Sequence, residues 1–258
     1  MKQDESATAW CRPTFLIVGV LVILGLFIRV WGLWDYYFTP DEALVLRISS
    51  QPTILKVFDA AIYHPHPPLR YFLLHHMLYV SDSLFFLRSM AFIPGVALIP
   101  VFFLIGRRTA GIAAGIVMAL LVTFSHAGMM LSEVLRTYIL GAFFVSVGLY
   151  AFLSYTEENR LKYLYYYGGA MTLGLLSHYF TIVPVVAIVF VWLGLVARSK
   201  RQLSDLFKLL LANLPVAVVA LGGYVFHLSS RNPHRWWLNI DKERLASQFP
   251  DNLPGFAV

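Results

Sequence analysis

The sequence predicts an all-α polytopic membrane protein with about seven transmembrane helices and short interfacial helices in its first outer loop. Three observations lead there. The 258 residues are 59% hydrophobic and only 13% charged, where soluble domains carry about 25% charged residues. Apolar runs of spanning length recur from one end of the chain to the other. Basic residues collect in alternate loops, as they do where every second loop faces the cytoplasm. The net charge of +6 belongs to those loops and implies no nucleic-acid partner. The single cysteine, Cys11, excludes an internal disulfide and a cysteine-rich metal site.

Residues 1–13 form a polar N-terminus expected in the cytoplasm. The first span covers Thr14–Leu33 and lacks a small-x-small cleavage site, so it reads as an uncleaved anchor. Arg29, near its outer end, either snorkels to the interface or faces an internal partner. Trp31, Trp34, Tyr36 and Tyr37 make an interfacial belt.

The outer loop, residues 34–83, opens with Thr39-Pro40-Asp41-Glu42. Thr39 suits an N-cap, Pro40 the first helical position, and Glu42 closes a capping box. A short helix over Ala43–Ser50 lies on the membrane surface, and a second piece runs from Pro52 to Tyr63. His64-Pro65-His66-Pro67-Pro68 cannot be regular helix, because each proline restricts itself and its predecessor. Leu69–Val80 is apolar but only about a dozen residues long, which favours an interfacial or re-entrant helix over a span.

The remaining spans are Leu84–Gly106, Gly111–Leu131, Tyr138–Tyr155, Tyr163–Leu176, Thr181–Ala197 and Leu209–Leu228. This count puts Lys2, Arg12, Arg107-Arg108, Arg160, Lys162, Arg198, Lys200, Arg201 and Lys208 on one side. The loop around His178, on the other side, has no lysine or arginine. Were Leu69–Val80 a span, the later basic clusters would move outside, against the charge rule. Residues 14–228 thus form one transmembrane domain. Residues 229–258 form an outer-side segment whose ending suggests a chain that is part of a longer one.

Four polar groups gather on the outer side: Asp41/Glu42, His64/His66, Glu133/Arg136/Tyr138 and Ser177-His178-Tyr179. Carboxylates at membrane depth cost roughly 2.5–3.5 kcal/mol on insertion scales, so they persist where water, a partner or a function keeps them. Asp41 and Glu42 both suit a helix's first turn. As helix neighbours they point about 100° apart, so one can act as a general base while the other holds structure. His66 either fills a polar turn or lines a cavity opposite Asp41. Glu133 and Arg136 either form a local ion pair on one helix face or leave Arg136 for a phosphate, whose oxygens its planar fork fits. His178 is a turn residue or a substrate contact; His75, His76 and His126 read as interfacial or packed. The residues identify no certain cofactor, and a divalent metal stays open, since His, Asp and Glu are legitimate ligands at a spacing that matches no established motif.

Taken in order, Thr39-Pro40-Asp41-Glu42 after the first span, His66-Pro67-Pro68-Leu69, Glu133-x-x-Arg136-x-Tyr138 and Ser177-His178-Tyr179 resemble the GT-C membrane glycosyltransferases. The similarity is greater to the branch of protein O-mannosyltransferases and aminoarabinose transferases. The resemblance implies a polyprenyl-phosphate sugar donor, a lipid, glycan or protein acceptor, and inverting transfer to a hydroxyl or phosphate on the outer or lumenal face. It implies that Asp41, with Glu42 beside it, supplies the catalytic carboxylate. Arg136, Glu133, Tyr138, His66 and His178 would then line the substrate site. Two features depart from the family's pattern: Arg70 stands where an aromatic residue is commoner, and the chain is short. The competing readings are a flippase for a lipid-linked sugar and a non-catalytic partner subunit. The charges cluster at one face and no half-repeat is visible, which favours the enzyme.

Overall fold

The computed structural model describes residues 11–35, 38–61, 64, 66–198 and 202–229, and among these there is no strand. The expectations for residues 1–10 and 230–258 lie outside the described residues. The helices are α1 (Cys11–Asp35), α2 (Pro40–Ser49), α3 (Ile54–Ala61), α4 (Leu69–Leu78), α5 (Leu84–Thr123), α6 (His126–Ser132), α7 (Tyr138–Glu158) and α8 (Leu161–Ser177). A 3-10 turn, Tyr179–Thr181, leads into α9 (Ile182–Ala197), followed by α10 (Leu203–Ala212) and α11 (Leu214–Ser229).

Four helical segments are long and apolar enough to cross a membrane: Pro13–Leu33, Leu84–Thr123, Tyr138–Glu158 and Tyr179–Ala197. The bent pair α10–α11 makes a fifth if it is one span. The all-α membrane architecture is therefore as expected, but the count is lower than seven. Three local features account for the difference. The two spans expected over Leu84–Gly106 and Gly111–Leu131 are joined in α5, which doubles back at Ala110 (φ −143°, ψ 17°) and Gly111 (φ 88°, ψ −178°). Gly111 supplies a positive φ that a side chain would resist. Past the reversal, Gly115 lies against Phe103, and Ala119 joins Ile99 and Phe103 in one apolar cluster. The returning arm stops at Thr123, too short to cross alone, and α6 takes up the path after Ser125 caps it. Helix α8, at 17 residues, falls just under the usual crossing length of about 20. The last expected span, Leu209–Leu228, is broken at Asn213 with a bend of 46°. Pro215 has no N–H for the preceding turn, and Asn213 instead accepts from Tyr167 Oη at 3.0 Å and donates to Leu209 O.

Helix α4 has ten residues, so it extends about 15 Å, half of a roughly 30 Å hydrocarbon core. It does not cross. Its Tyr71 and Leu74 pack with Val45, Leu46, Val57, Leu87 and Leu135 in a cluster that ties α2, α3 and α4 to the start of α5. Helix α2 is consequently more buried than a surface helix: Glu42, Ala43, Val45, Leu46, Ile48 and Ser49 are all inside. A second cluster, around Trp192, Tyr167, Met171 and Tyr155, holds α7 to α11 together. Large apolar side chains remain exposed along α1 and α9, among them Leu16, Ile23, Phe27, Val183 and Phe190, as lipid-facing surfaces require.

Charge sorts to the two ends of this bundle. At one end Arg108 pairs with Glu157 and Glu158 and donates to Ser154. The left-handed Asn159 (φ 50°) ends α7 there. The other end carries the start of α2, the His/Pro segment, the α6–α7 link and the His178 turn.

Candidate active site

The site is built on the first turn of α2. Thr39 Oγ1 accepts from Glu42 N, and Thr39 N donates to Glu42 Oε2 at 2.9 Å, which completes the expected capping box. Glu42 does more than cap. Fully buried, it accepts from Arg88 Nε and Nη2, each at 3.0 Å, and from Leu135 N at 3.1 Å. One carboxylate thus joins three parts of the chain: α2, α5 and the α6–α7 link. Glu42, expected beside Asp41 as a catalytic carboxylate, has both oxygens committed and does not line the pocket described below.

Asp41 follows the other direction. About 100° around the helix from Glu42, it is 63% exposed and forms an ion pair with Arg136. Arg136 is aimed by a tight turn, in which its N donates to Val134 O at 2.7 Å. The local Glu133–Arg136 pair does not form. Glu133 is instead buried against Gly32 of α1, where a side chain on residue 32 would collide with its carboxyl group. Burial pushes the Glu133 carboxyl up, and the charge of Arg29 opposes that shift. Glu133, expected at the substrate, is not among the residues that line the cavity described below.

Arg29 resolves its two alternatives in favour of the interior. It is fully buried and donates to the carbonyls of Gly25, Val122 and Thr123 and to Ser132 Oγ. Val122 and Thr123 end the returning arm of α5, so Arg29 satisfies carbonyls that the helix end leaves without partners.

Asp41, Arg136, Tyr138, His64, His66 and Arg70 line one open cavity. Three separated stretches meet there: the start of α2, the His/Pro segment running into α4, and the start of α7. The Tyr138 and His178 rings meet at a tilt of 38° with centres 4.7 Å apart, and the His66 ring centre lies 6.0 Å from that of His178. His178 Nδ1 accepts from Phe180 N at 3.2 Å, which fixes the ring and leaves its proton on Nε2. Burial and the neighbouring Arg70 hold His64 and His66 at a pKa of about 4, so both are neutral imidazoles near pH 7. Burial also lowers His178, with Arg70 adding to it. Of the expected site residues, Asp41, Arg136, Tyr138, His66 and His178 come together, while Glu42 and Glu133 are not among them.

A second, mainly apolar groove shares Tyr138 with this cavity and is also lined by Gly141, Ala142, Val145, His178, Phe180 and Pro184. Among the described residues no three His, Cys, Asp or Glu side chains gather as a metal cluster. Sequence reasoning missed Arg88, and it noted Arg70 only as a departure. An arginine inside the apolar stretch Leu84–Thr123 was the available signal for the first, since a charge at membrane depth demands a partner.

The family model described as dolichyl-phosphate-mannose-protein mannosyltransferase matches residues 65–223. The matched region takes in the His/Pro segment, Arg70, Arg88, Arg136, Tyr138 and His178, and begins after Asp41 and Glu42. No curated protein and no solved structure matches the chain. With well over half of its length matched and its spans and polar cluster in the order described, the chain belongs to the dolichyl-phosphate-mannose-protein mannosyltransferase family, and is a membrane glycosyltransferase of the GT-C type.

Proposed function

We propose that the chain transfers a sugar from a polyprenyl-phosphate donor to a hydroxyl or phosphate acceptor, with inversion, at the outer or lumenal membrane face. One observation carries the reading. A carboxylate, a guanidinium and a phenol, from residues 41, 136 and 138, line one cavity, and the phenol also lines a neighbouring apolar groove. A lipid phosphate has the matching form: a hydrocarbon tail for the groove and a charged head for the cavity.

The steps follow from these groups. Arg136 binds the donor phosphate, exchanging its contact with Asp41 for phosphate oxygens. That exchange leaves the Asp41 carboxylate open to the acceptor. Asp41 takes the acceptor proton as the acceptor oxygen bonds to the anomeric carbon. The bond from that carbon to the phosphate oxygen breaks, and polyprenyl phosphate departs carrying the electron pair. Tyr138, His66 and His178 form a wall of rings suited to sugar stacking and hydrogen bonding. Glu42 holds Asp41 and the Arg136 turn in register through Arg88 and Leu135.

Asp41→Asn tests this. It retains size and hydrogen bonding but removes the base. Donor binding is expected to survive while single-turnover transfer from a labelled polyprenyl-phosphate sugar falls roughly 10²–10⁴-fold. Transfer at the wild-type rate would make Asp41 a helix-start residue and nothing more.

A further inference from the structure

We propose that Arg70 is an anion-holding residue of this cavity, taking oxygens of a singly charged phosphate diester; its source in the substrate rests on the glycosyltransferase reading above. Three arginines are buried among the described residues: Arg29, Arg70 and Arg88. Arg88 is answered by the Glu42 carboxylate, and Arg29 by three carbonyls and a hydroxyl. Arg70 is not answered in this way. It is 7% exposed, its Nη2 donates to Tyr71 Oη at 2.7 Å, and its guanidinium carbon lies 4.6 Å from the centre of the Tyr71 ring. Its Nε has no hydrogen-bond partner, and no carboxylate among the described residues forms an ion pair with it.

Its place in the chain adds to the anomaly. Arg70 sits in the first turn of α4, behind Pro68, which contributes no side-chain cap. A cation there adds to the positive end of the helix dipole and gains nothing from it. A buried charge without a counter-charge is costly, and such a group persists where a ligand supplies the missing partner. Arg70 lines the same cavity as Asp41 and Arg136.

The charge of that cavity states what fits. Asp41 contributes one negative charge, and Arg70 and Arg136 contribute one positive charge each, so the sum is one positive charge. Both cavity histidines are neutral near pH 7, with pKa values of about 4. One phosphate diester, carrying a single negative charge, neutralises the site. Arg136 has Asp41 as its counter-charge, whereas no carboxylate among the described residues pairs with Arg70, so Arg70 adds a second guanidinium to the phosphate that Arg136 binds. Its planar fork matches two phosphate oxygens. The phosphate belongs either to the donor or to a phosphorylated acceptor.

The test uses the purified full chain in detergent with three probes: farnesyl methyl phosphate, farnesol and inorganic phosphate. The wild type is expected to bind farnesyl methyl phosphate at least about tenfold tighter than farnesol, in line with a charge-assisted contact. Arg70→Gln should reduce that preference while retaining farnesol binding, with Arg136 supplying what remains, and Arg70→Lys should keep more of it. Weak competition by inorganic phosphate assigns the contact to the tailed donor; competition as strong as the diester's assigns it to the acceptor. Thermal unfolding is the fold control: Arg70→Gln should be no less stable than the wild type, since it removes an uncompensated buried charge. Undiminished phosphate preference in Arg70→Gln, or in Arg70→Lys should the glutamine variant fail to fold, overturns the proposal. So does a wild type without any preference. Sugar transfer by the wild type separates the two ideas. Transfer with an Arg70-independent preference refutes only Arg70's role, whereas an Arg70-dependent preference without transfer refutes only the reaction.

Discussion

Replacing Glu42 with glutamine should act first on the fold and only through it on the chemistry. The Glu42 carboxylate is completely buried and receives five donors: Arg88 Nε and Nη2, Leu135 N, Thr39 N and Thr39 Oγ1. Glutamine is isosteric and has one oxygen. It can still close the capping box or still face Arg88, but its amide N–H group must then meet other donors. The Arg88 guanidinium, 2% exposed, loses the carboxylate it is paired with. Breaking a buried ion pair by removing one charge costs about 3–5 kcal/mol. For a chain of this size that corresponds to an apparent melting temperature lower by about 6–20 °C. The measurement is thermal unfolding in detergent of Glu42→Gln, Arg88→Met and the pair Glu42→Leu with Arg88→Met. Each single variant should be strongly destabilised. The double variant should recover most of the loss, because two apolar groups of similar volume replace two charges that no longer need each other. Transfer should fall in Glu42→Gln in proportion to the folded fraction and to the loosened Arg136 turn. A Glu42→Gln variant within about 1 kcal/mol of wild type would refute the positioning role assigned to Glu42.

Four further outcomes are expected. Arg136→Ala should weaken donor binding by about 1.5–3 kcal/mol, with Arg136→Lys recovering only part, as read by titration with a polyprenyl-phosphate sugar. His64 and His66 are held near a pKa of about 4, below the unfolded value of about 6.5, so the unfolded chain binds more protons between those values. Stability should therefore be flat above about pH 6.5 and fall as the pH drops towards about 4, and a His64→Gln, His66→Gln variant should show a shallower fall in melting temperature. Gly168→Ala should destabilise by about 1–3 kcal/mol, because the added Cβ would strike the Ala212 carbonyl at the α10–α11 break and strain the Tyr167–Asn213 contact beside it. In a Cys11-free background, cysteines at Arg107 and Asn159 should be labelled only from the cytoplasmic side and one at Asp82 only from outside; outside labelling at 107 would reverse the orientation inferred from loop charge.

Much of the architecture was legible because a bilayer imposes length and polarity on each segment separately. Apolar runs of a given length must be helices, and basic loops must alternate. The capping box at Thr39 and Glu42 and the short α4 are likewise local matters, decided within a few residues. Seeing Asp41, His66, Arg136, Tyr138 and His178 as candidates needed only that each stood at the polar end of an apolar run.

What those residues do to one another is a different kind of fact. Glu42 meets Arg88 across 46 residues, and Asp41 meets Arg136 across 95. No periodicity links positions so far apart, so from the residues alone one of the two adjacent carboxylates could act while the other held structure, with nothing to say what either would meet. Burial separated them, sealing one among five donors and turning the other into an open cavity. The same holds for Arg29, which finds the Val122 and Thr123 carbonyls where the returning arm of α5 ends, and for Glu133, which lies against Gly32 of α1 and forms no pair with Arg136. Composition and pattern determined that this chain is a helical membrane protein with a polar cluster at one end. Only the packing of α2, α4 and the α6–α7 link decided which charges are satisfied and which, Arg70 above all, are left facing the cavity, because pairing is set by long-range contact and not by neighbours in the chain.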